Sequence, residues 1–346
     1  MDVNTFNRIA GVDLAKNIIQ FCYTDMETGE VLNKKVSRNK FLEFFANRPT
    51  SMIGMEACGG AHHWARELKS LGHEVILIPG RDVKAFNYGN KDDANDARAI
   101  WAATRSGTVR SVNIKTEEQQ SILALHRTRD MLIRQRVATT NHIRGILTEF
   151  GLVTAKGKKA LKDWLPSALE ELSSRVTPML ISELELLWQG VKRLNEQVAG
   201  IERNLNQWAK SNEACGRLLK IDGVGFLTAT AVVATVGDAS MFMSARQMAA
   251  FFGLVPKHIG SGGKVRNLGM SKRGNGYIRR LVIHGARSVV NCLKEPLKVV
   301  KRMLAKGHKK NVVVGAVANR LLRIMWSMLV HGTQYERNHV SVMCQA

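Results

Sequence analysis

The chain is poor in cysteine. Cys22, Cys58, Cys215, Cys292 and Cys344 are its five, scattered, odd in number and without a CxxC pair. That argues against a zinc site and a disulfide framework and fits a reducing compartment. Acids are scarce as well: 29 Asp and Glu stand against 51 Lys and Arg. The N-terminal MDVNTFNRIAGVD does not read as a signal peptide. No apolar run is clean enough for a membrane span. The best candidate, 312–332, is interrupted by Asn319, Arg320, Arg323 and His331, and reads as an amphipathic helix. Internal repeats and low-complexity segments are absent. A cytoplasmic globular protein with no membrane partner is therefore expected.

What the chain has in excess is positive charge. The formal charge is +22 over 346 residues. It concentrates between 251 and 310, where 15 Lys and Arg face one acid, Glu295. Such density opposes compaction unless a polyanion neutralises it, and nucleic acid is the usual partner. A solvated face is the alternative. A membrane surface fits less well, because the segment lacks a sustained apolar face with aromatic anchors.

Strand signals at 8–14, 18–24, 31–36, 51–56 and 74–78 alternate with helical spacing at 40–47, 62–71 and 92–105. Periodicity establishes an α/β domain. From 116 to 150 the chain reads as a long Arg-rich helix, followed by a Lys/Gly-rich linker around 156–159. A second long helix, 178–209, places Leu180, Leu184, Leu187, Val191, Leu194, Val198, Ile201, Leu205 and Trp208 at unbroken 4-3 spacing. That is a heptad seam, which could pack within the chain against the first long helix or between chains; a dimerisation role is the favoured expectation. The remainder, from about 213, reads as mostly helical with Gly-rich turns. Three segments follow: 1–112, 113–212 and 213–346.

Four acids suit metal chemistry. Asp13 lies in GVDLAK, Glu56 in GMEA, and Asp93 and Asp96 in KDDANDAR, where a spacing of three puts them on one helical face. Capping or surface roles are open for each acid singly. Apolar flanks around Asp13 and Glu56 oppose those roles, because an unpaired acid there is costly. Close carboxylates repel unless a cation sits among them, and oxygen-only ligands favour Mg²⁺ or Mn²⁺.

A second constellation is GLVPKHIGSGGKVR, at 253–266, running on into MSKRGN and Arg279-Arg280. Ser261 sits between glycines, which allow close backbone approach to a phosphate. Lys257, Lys264, Arg266, Lys272, Arg273, Arg279 and Arg280 are candidate phosphate contacts. A serine hydroxyl needs a base or a metal to act as a nucleophile. On chemistry alone a phosphate-binding turn remains open for this loop. Gly223 and Gly225, in IDGVG before an apolar helix, are like the glycine turn of helix-hairpin-helix elements, which hold a phosphate on backbone amides.

Taken together, GVDLAK, GMEA, KxDxxDA, IxGVG, GLVPxxxxSGGKxR and SKRGNxxxRR appear in one order over nearly the whole chain. In that order they resemble the insertion-sequence transposases with a DEDD-type RuvC-like N-terminal domain and a serine-bearing C-terminal domain. Piv-type DNA invertases and bridge-RNA-guided recombinases are in the same family. The resemblance implies an RNase H-like first domain and a helical transposase domain at the C-terminus. It implies that Asp13, Glu56, Asp93 and Asp96 bind metal, and that Ser261 is the covalent nucleophile. Many relatives carry two adjacent serines in the loop; here Gly260 replaces the first. Relatives usually carry Thr where this chain has Asp92. The resemblance further implies DNA substrates at element ends and target, a homodimer, and a tetramer in synapsis. It implies a carboxylate domain that completes the serine site of another subunit. A noncoding guide RNA and bacterial nucleoid association when active are also implied. A metal-dependent resolvase or invertase that reads DNA directly, or a non-catalytic nucleic-acid-binding protein, are the competing readings.

Overall fold

The computed structural model describes residues 8–25, 27–88, 92–261, 264–293 and 295–336; the side chains of Lys158, Ser261, Lys264, Val265 and Asn267 lie outside the described set. Lys91 and Cys344 lie outside it altogether. The chain divides into two compact units, 1–117 and 118–346.

The first unit is built on β1 (Ile9–Leu14), β2 (Ile18–Thr24), β3 (Val31–Ser37), α1 (Phe41–Ala46), β4 (Met52–Glu56), α2 (Ala61–Ser70), β5 (Glu74–Ile78), α3 (Gly80–Val83) and α4 (Asp93–Ser106). The sheet order is β3-β2-β1-β4-β5. The first three strands are antiparallel, and β4 and β5 run parallel to β1. The expected elements are present, with ends moved by a residue or two; a short 3₁₀ turn, Arg38–Lys40, precedes α1.

Strand alternation gives this sheet two unlike faces. Ala10, Val12, Ile19, Phe21, Ile53 and Met55 are buried in one cluster with Phe41, Phe45, Trp64 and Leu68 of α1 and α2. Full burial of each large side chain there contributes about 1.5–3 kcal/mol. The alternate residues, Gly11, Asp13, Gln20, Cys22, Gly54 and Glu56, lie on the face that α4 covers; Cys22 clusters with Ala97 and Trp101 of α4. The second face of β2 carries the polar Gln20 beside Cys22, yet these are 4% and 0% exposed. Burial under α4 overrides the polarity of that face.

The second unit holds α5 (Glu117–Glu149), α6 (Lys158–Ser173), α7 (Pro178–Ser211), α8 (Glu213–Leu218), α9 (Phe226–Val236), α10 (Ala245–Phe251), β6 (Pro256–Ser261), β7 (Lys264–Met270), α11 (Gly276–Cys292), α12 (Lys298–Ala305) and α13 (Lys310–His331). Helices α5 and α7 run antiparallel, tied by Trp208 Nε1 donating to Glu118 at 2.7 Å, by the Arg129–Glu202 ion pair at 2.7 Å and by Arg136 donating to Asn195 at 3.1 Å. Leu184, Val191, Val198 and Leu205, seven apart, are the buried residues of the α7 seam.

Two departures from the sequence reading stand out. The supposed linker at 156–159 leads at once into α6, whose Leu161, Leu165, Ala168 and Leu172 are buried. Pro166 inside it masks the helical signal. The C-terminal part also contains an antiparallel hairpin, β6 with β7, where helix and Gly-rich loop were expected. In the remaining core α13 is central. Its length and composition would allow a membrane crossing, but Val313, Val317, Leu321, Leu322 and Met325 are buried in the helical core.

One buried polar group joins three of these helices. His126 of α5 is 2% exposed, with Nδ1 2.9 Å from the Tyr277 hydroxyl and Nε2 2.9 Å from the Thr230 hydroxyl. Burial, reinforced by the Arg129 guanidinium, lowers its pKa to about 4. The unfolded chain therefore binds a proton near pH 6.5 that the folded chain refuses until about pH 4. The stability contributed by neutral His126 is complete above 6.5 and is lost as the pH falls towards 4, by about 3 kcal/mol. His126→Gln is expected to flatten the pH dependence of unfolding across that window. A wild-type-like slope in urea melts of the variant would refute it.

Candidate active site

The first constellation forms where β1 and β4 lie side by side. Asp13 and Glu56 stand at the C-terminal ends of these parallel neighbours, on the face under α4. Each acid follows a glycine by two residues, so the glycine shares its face. A Cβ at Gly11 would overlap the backbone of Trp101 and come within 2.7 Å of the Ala97 carbonyl. A Cβ at Gly54 would overlap the Thr104 hydroxyl, and one at Gly80 the Glu56 carboxylate. The bare strip Gly11–Gly54 lets α4 settle onto the sheet backbone, and Gly80 gives Glu56 its space. The sequence reading missed these three glycines; the repeated Gly-x-acid pattern was the available signal.

Because α4 lies so close, its first turn brings Asp93 and Asp96 towards the strand acids. Asp13 records the field: burial first, then the carboxylates of Asp96, Asp93 and Glu56, push its pKa up to about 6. Asp96 Oδ1 accepts a hydrogen bond of 2.7 Å from Asn87 Nδ2. Gln20 pairs with Asp13 across β1 and β2, and its Oε1 is buried without a partner. None of the four acids forms an ion pair among the described residues. Nor do three side chains there already converge in ligand geometry. A cluster of oxygen donors with uncompensated negative charge fits a hard divalent cation. Asp92 has a different task. It is the N-cap of α4, and its carboxylate accepts from Asn95 N at 2.8 Å and Asn95 Nδ2 at 2.7 Å.

The second constellation is on the β6–β7 hairpin. Ser261 closes β6 and pairs in register with Lys264, which opens β7. Gly262 and Gly263, and the side chains of Ser261 and Lys264, lie outside the described residues. The foot of the hairpin is clasped by backbone. A Cβ at Gly253 would overlap the Arg273 carbonyl, and one at Gly274 the Phe251 carbonyl, so the GLVP and SKRGN segments touch through two glycines with φ of +72° and +82°. Ser271 N donates to Val255 O at 2.8 Å, and Asn319 Nδ2 to Leu254 O at 2.8 Å. Lys272 has φ +54°, the one positive value at a non-glycine among the described residues. A residue held in that region costs about 1 kcal/mol or more and persists only where the surroundings fix it.

The basic side chains divide by task. Lys257, Arg266, Lys272 and Arg273 are exposed. Arg279 donates to the carbonyls of Phe252 and Arg273, both at 3.2 Å, and so braces the clasp. Arg280 pairs with Asp130 at 2.7 Å. Of the two turn glycines, Gly223 (φ +82°) packs on the backbone of Gly285, which accounts for it structurally, whereas Gly225 at the start of α9 has open space beside it.

Comparison with known proteins bears on both constellations. The IS110-type DEDD transposase model matches residues 10–151, and the model for the transposase IS116/IS110/IS902 family matches 215–300. The transposase for insertion sequence element IS1111A of Coxiella burnetii is 39% identical over 95% of this chain and 91% of its own. That for IS1328 of Yersinia enterocolitica is 37% identical over 95% and 98%. The pilin gene-inverting protein of Moraxella lacunata is 23% identical over 94% and 97%. The acids and the hairpin fall inside the two matched segments, and the relatives align along almost the full length. The chain thus belongs to the IS116/IS110/IS902 family of transposases, enzymes that cleave and rejoin DNA.

Proposed function

We propose that this transposase is a recombinase that excises and inserts its element through a covalent serine–DNA link assisted by a carboxylate-bound metal. The observation that carries the reading is the uncompensated set of four carboxylates gathered by α4 over β1 and β4. The sheet order, three antiparallel strands followed by two parallel ones, supports an RNase H-like, RuvC-type first unit.

Asp13, Glu56, Asp93 and Asp96 would hold Mg²⁺, or Mn²⁺ with the same donor preference. Bound there, the ion supplies Lewis-acid stabilisation of charge at the scissile phosphate. Ser261 would supply the hydroxyl. Its proton passes to a base, its oxygen bonds to a DNA phosphorus, and the bond from phosphorus to one deoxyribose oxygen breaks, that oxygen taking up a proton. Attack by a sugar hydroxyl of another strand reverses the step and releases Ser261. The phosphodiester count is unchanged, so no ATP is consumed. Lys257, Lys264, Arg266, Lys272 and Arg273 would hold phosphate oxygens, with the clasped foot keeping the hairpin in place.

The basic surface suits backbone contacts, which carry no sequence information. Target choice by a guide RNA encoded beside the gene agrees with that surface. The protein would act as a homodimer, two of which meet when two DNAs are synapsed; the α7 seam is engaged within the chain, where Leu184 and Val191 pack against Ile143 and Leu147 and Leu205 against Ile122. Purification from cells expressing the native locus, followed by RNA sequencing, tests the guide. One discrete RNA from flanking sequence is expected. Active protein carrying random RNA or none would instead favour direct DNA reading.

A further inference from the structure

A second basic surface lies away from the serine hairpin. Lys298, Lys301 and Arg302 of α12, then Lys306, Lys309 and Lys310, place six cations within 13 residues, and no acid occurs from 296 to 335. All six are exposed. None of the six side chains has an ion pair or hydrogen bond among the described residues.

The placement is anchored. On α12, Leu297 and Val300 are 6% and 1% exposed in the helical core, which turns the opposite arc, Lys298, Lys301 and Arg302, to solvent. Gly307, with φ +74°, reverses the chain, and α13 starts with Lys309 as its N-cap and Lys310 as its first residue. Helix α13 is also the support of the serine hairpin. Met270, the last residue of β7, lies over Gly315, and Asn319 holds the Leu254 carbonyl. From Lys310 to Gly315 the rise along the helix axis is about 8 Å. Lys309 and Lys310 therefore sit one to two turns along α13 from the hairpin foot, and α12, which carries Lys298, Lys301 and Arg302, packs with α13 in the same core.

We infer that the α12–α13 cations are a second docking surface, for the phosphate backbone of the DNA duplex that runs on from the hairpin. Cations this dense repel one another, and a duplex presents one negative charge per about 1.7 Å of its axis to neutralise them. The duplex is the occupant because α12 and the start of α13 pack in the same core as the helix that supports the hairpin, and the family acts on DNA. The contact carries no sequence information. It is independent of which residue attacks the phosphate.

The test is duplex binding by the full chain against salt concentration, comparing wild type with Lys298→Gln/Lys301→Gln/Arg302→Gln. The slope of log affinity on log salt is expected to fall by about 2 to 3, near 0.9 per lost phosphate contact. The loss should be equal for cognate and scrambled duplexes. Helical circular dichroism should be unchanged, and covalent adduct formation at saturating DNA retained. An unchanged slope would overturn the inference and leave a solvated face. A loss seen on RNA of equal length but not on duplex DNA would overturn it too. Failure of the adduct in wild type would bear on the serine reading alone.

Discussion

Asp13→Asn is expected to lower DNA cleavage by about 10³-fold or more while leaving DNA binding intact. A cation at the scissile phosphate contributes several kcal/mol of charge stabilisation, and each 1.36 kcal/mol is a factor of ten in rate. The substitution keeps the shape of the side chain and removes the carboxylate at the centre of the cluster. It should also leave the metal-free protein more heat-stable than wild type. Asp13 is held near a pKa of about 6 by burial and by Asp96, Asp93 and Glu56, so at neutral pH its charge works against the folded state. Mg²⁺ should then raise the melting temperature of wild type and not of the variant, a readout independent of activity. Asp92→Ala is the control: loss of the α4 cap costs about 1 kcal/mol, with cleavage close to wild type. Cleavage lost equally in both variants would mean that Asp13 and Asp92 act alike as structural acids.

Gly11→Ala is expected to do nearly as much damage without touching an acid. Its methyl group would overlap the backbone of Trp101, which has no rotamer to yield. Helix α4 must lift, carrying Asp93 and Asp96 from Asp13 and Glu56. A displacement of about 1 Å at a catalytic group costs about 10²-fold, and overpacking of this kind costs about 1–3 kcal/mol in stability. The nearest atoms that Gly54→Ala meets all belong to the Thr104 side chain. Its defect should be milder, and Gly54→Ala/Thr104→Ala should recover most of the rate. Wild-type cleavage by Gly11→Ala would show that α4 does not set the acid geometry.

These two predictions mark what the sequence displays and what it conceals. The five strands of the first unit follow from alternation, and Asp93 and Asp96 from helical spacing. The role of Asp92 does not follow, because three adjacent-looking acids give no sign of which one turns out to cap the helix. Gly11 and Gly54 read as small strand residues; their value lies in what crosses them, Ala97, Trp101 and Thr104 of α4, each 50 or more residues downstream of the glycine it meets. The hairpin was concealed because glycines at 260, 262 and 263 suggest a loop, while the pairing that makes strands of 256–261 and 264–270 is a tertiary matter. Arg279 and Arg280 illustrate the limit of charge counting. Both sit in a basic run, yet one braces carbonyls and the other pairs with Asp130, 150 positions earlier.

The net charge divides just as unevenly. Residues 1–117 hold 16 bases and 14 acids, which leaves +20 of the +22 to residues 118–346. The four acids proposed to hold metal thus lie on a nearly neutral unit, and the excess positive charge lies on the other. That division agrees with the proposed separation of metal-binding acids from DNA-holding cations.

The central claim is the covalent one, and the direct measurement is to locate the bond. A nicked duplex that traps the intermediate would be incubated with wild-type protein and Mg²⁺, digested, and the nucleotide-bearing peptide identified by mass spectrometry. The account predicts the modification on Ser261, and no adduct from Ser261→Ala, which still binds the duplex. Strand exchange without any adduct, or an adduct on another residue, would contradict it and leave Ser261 as a phosphate-binding residue in a metal-only nuclease.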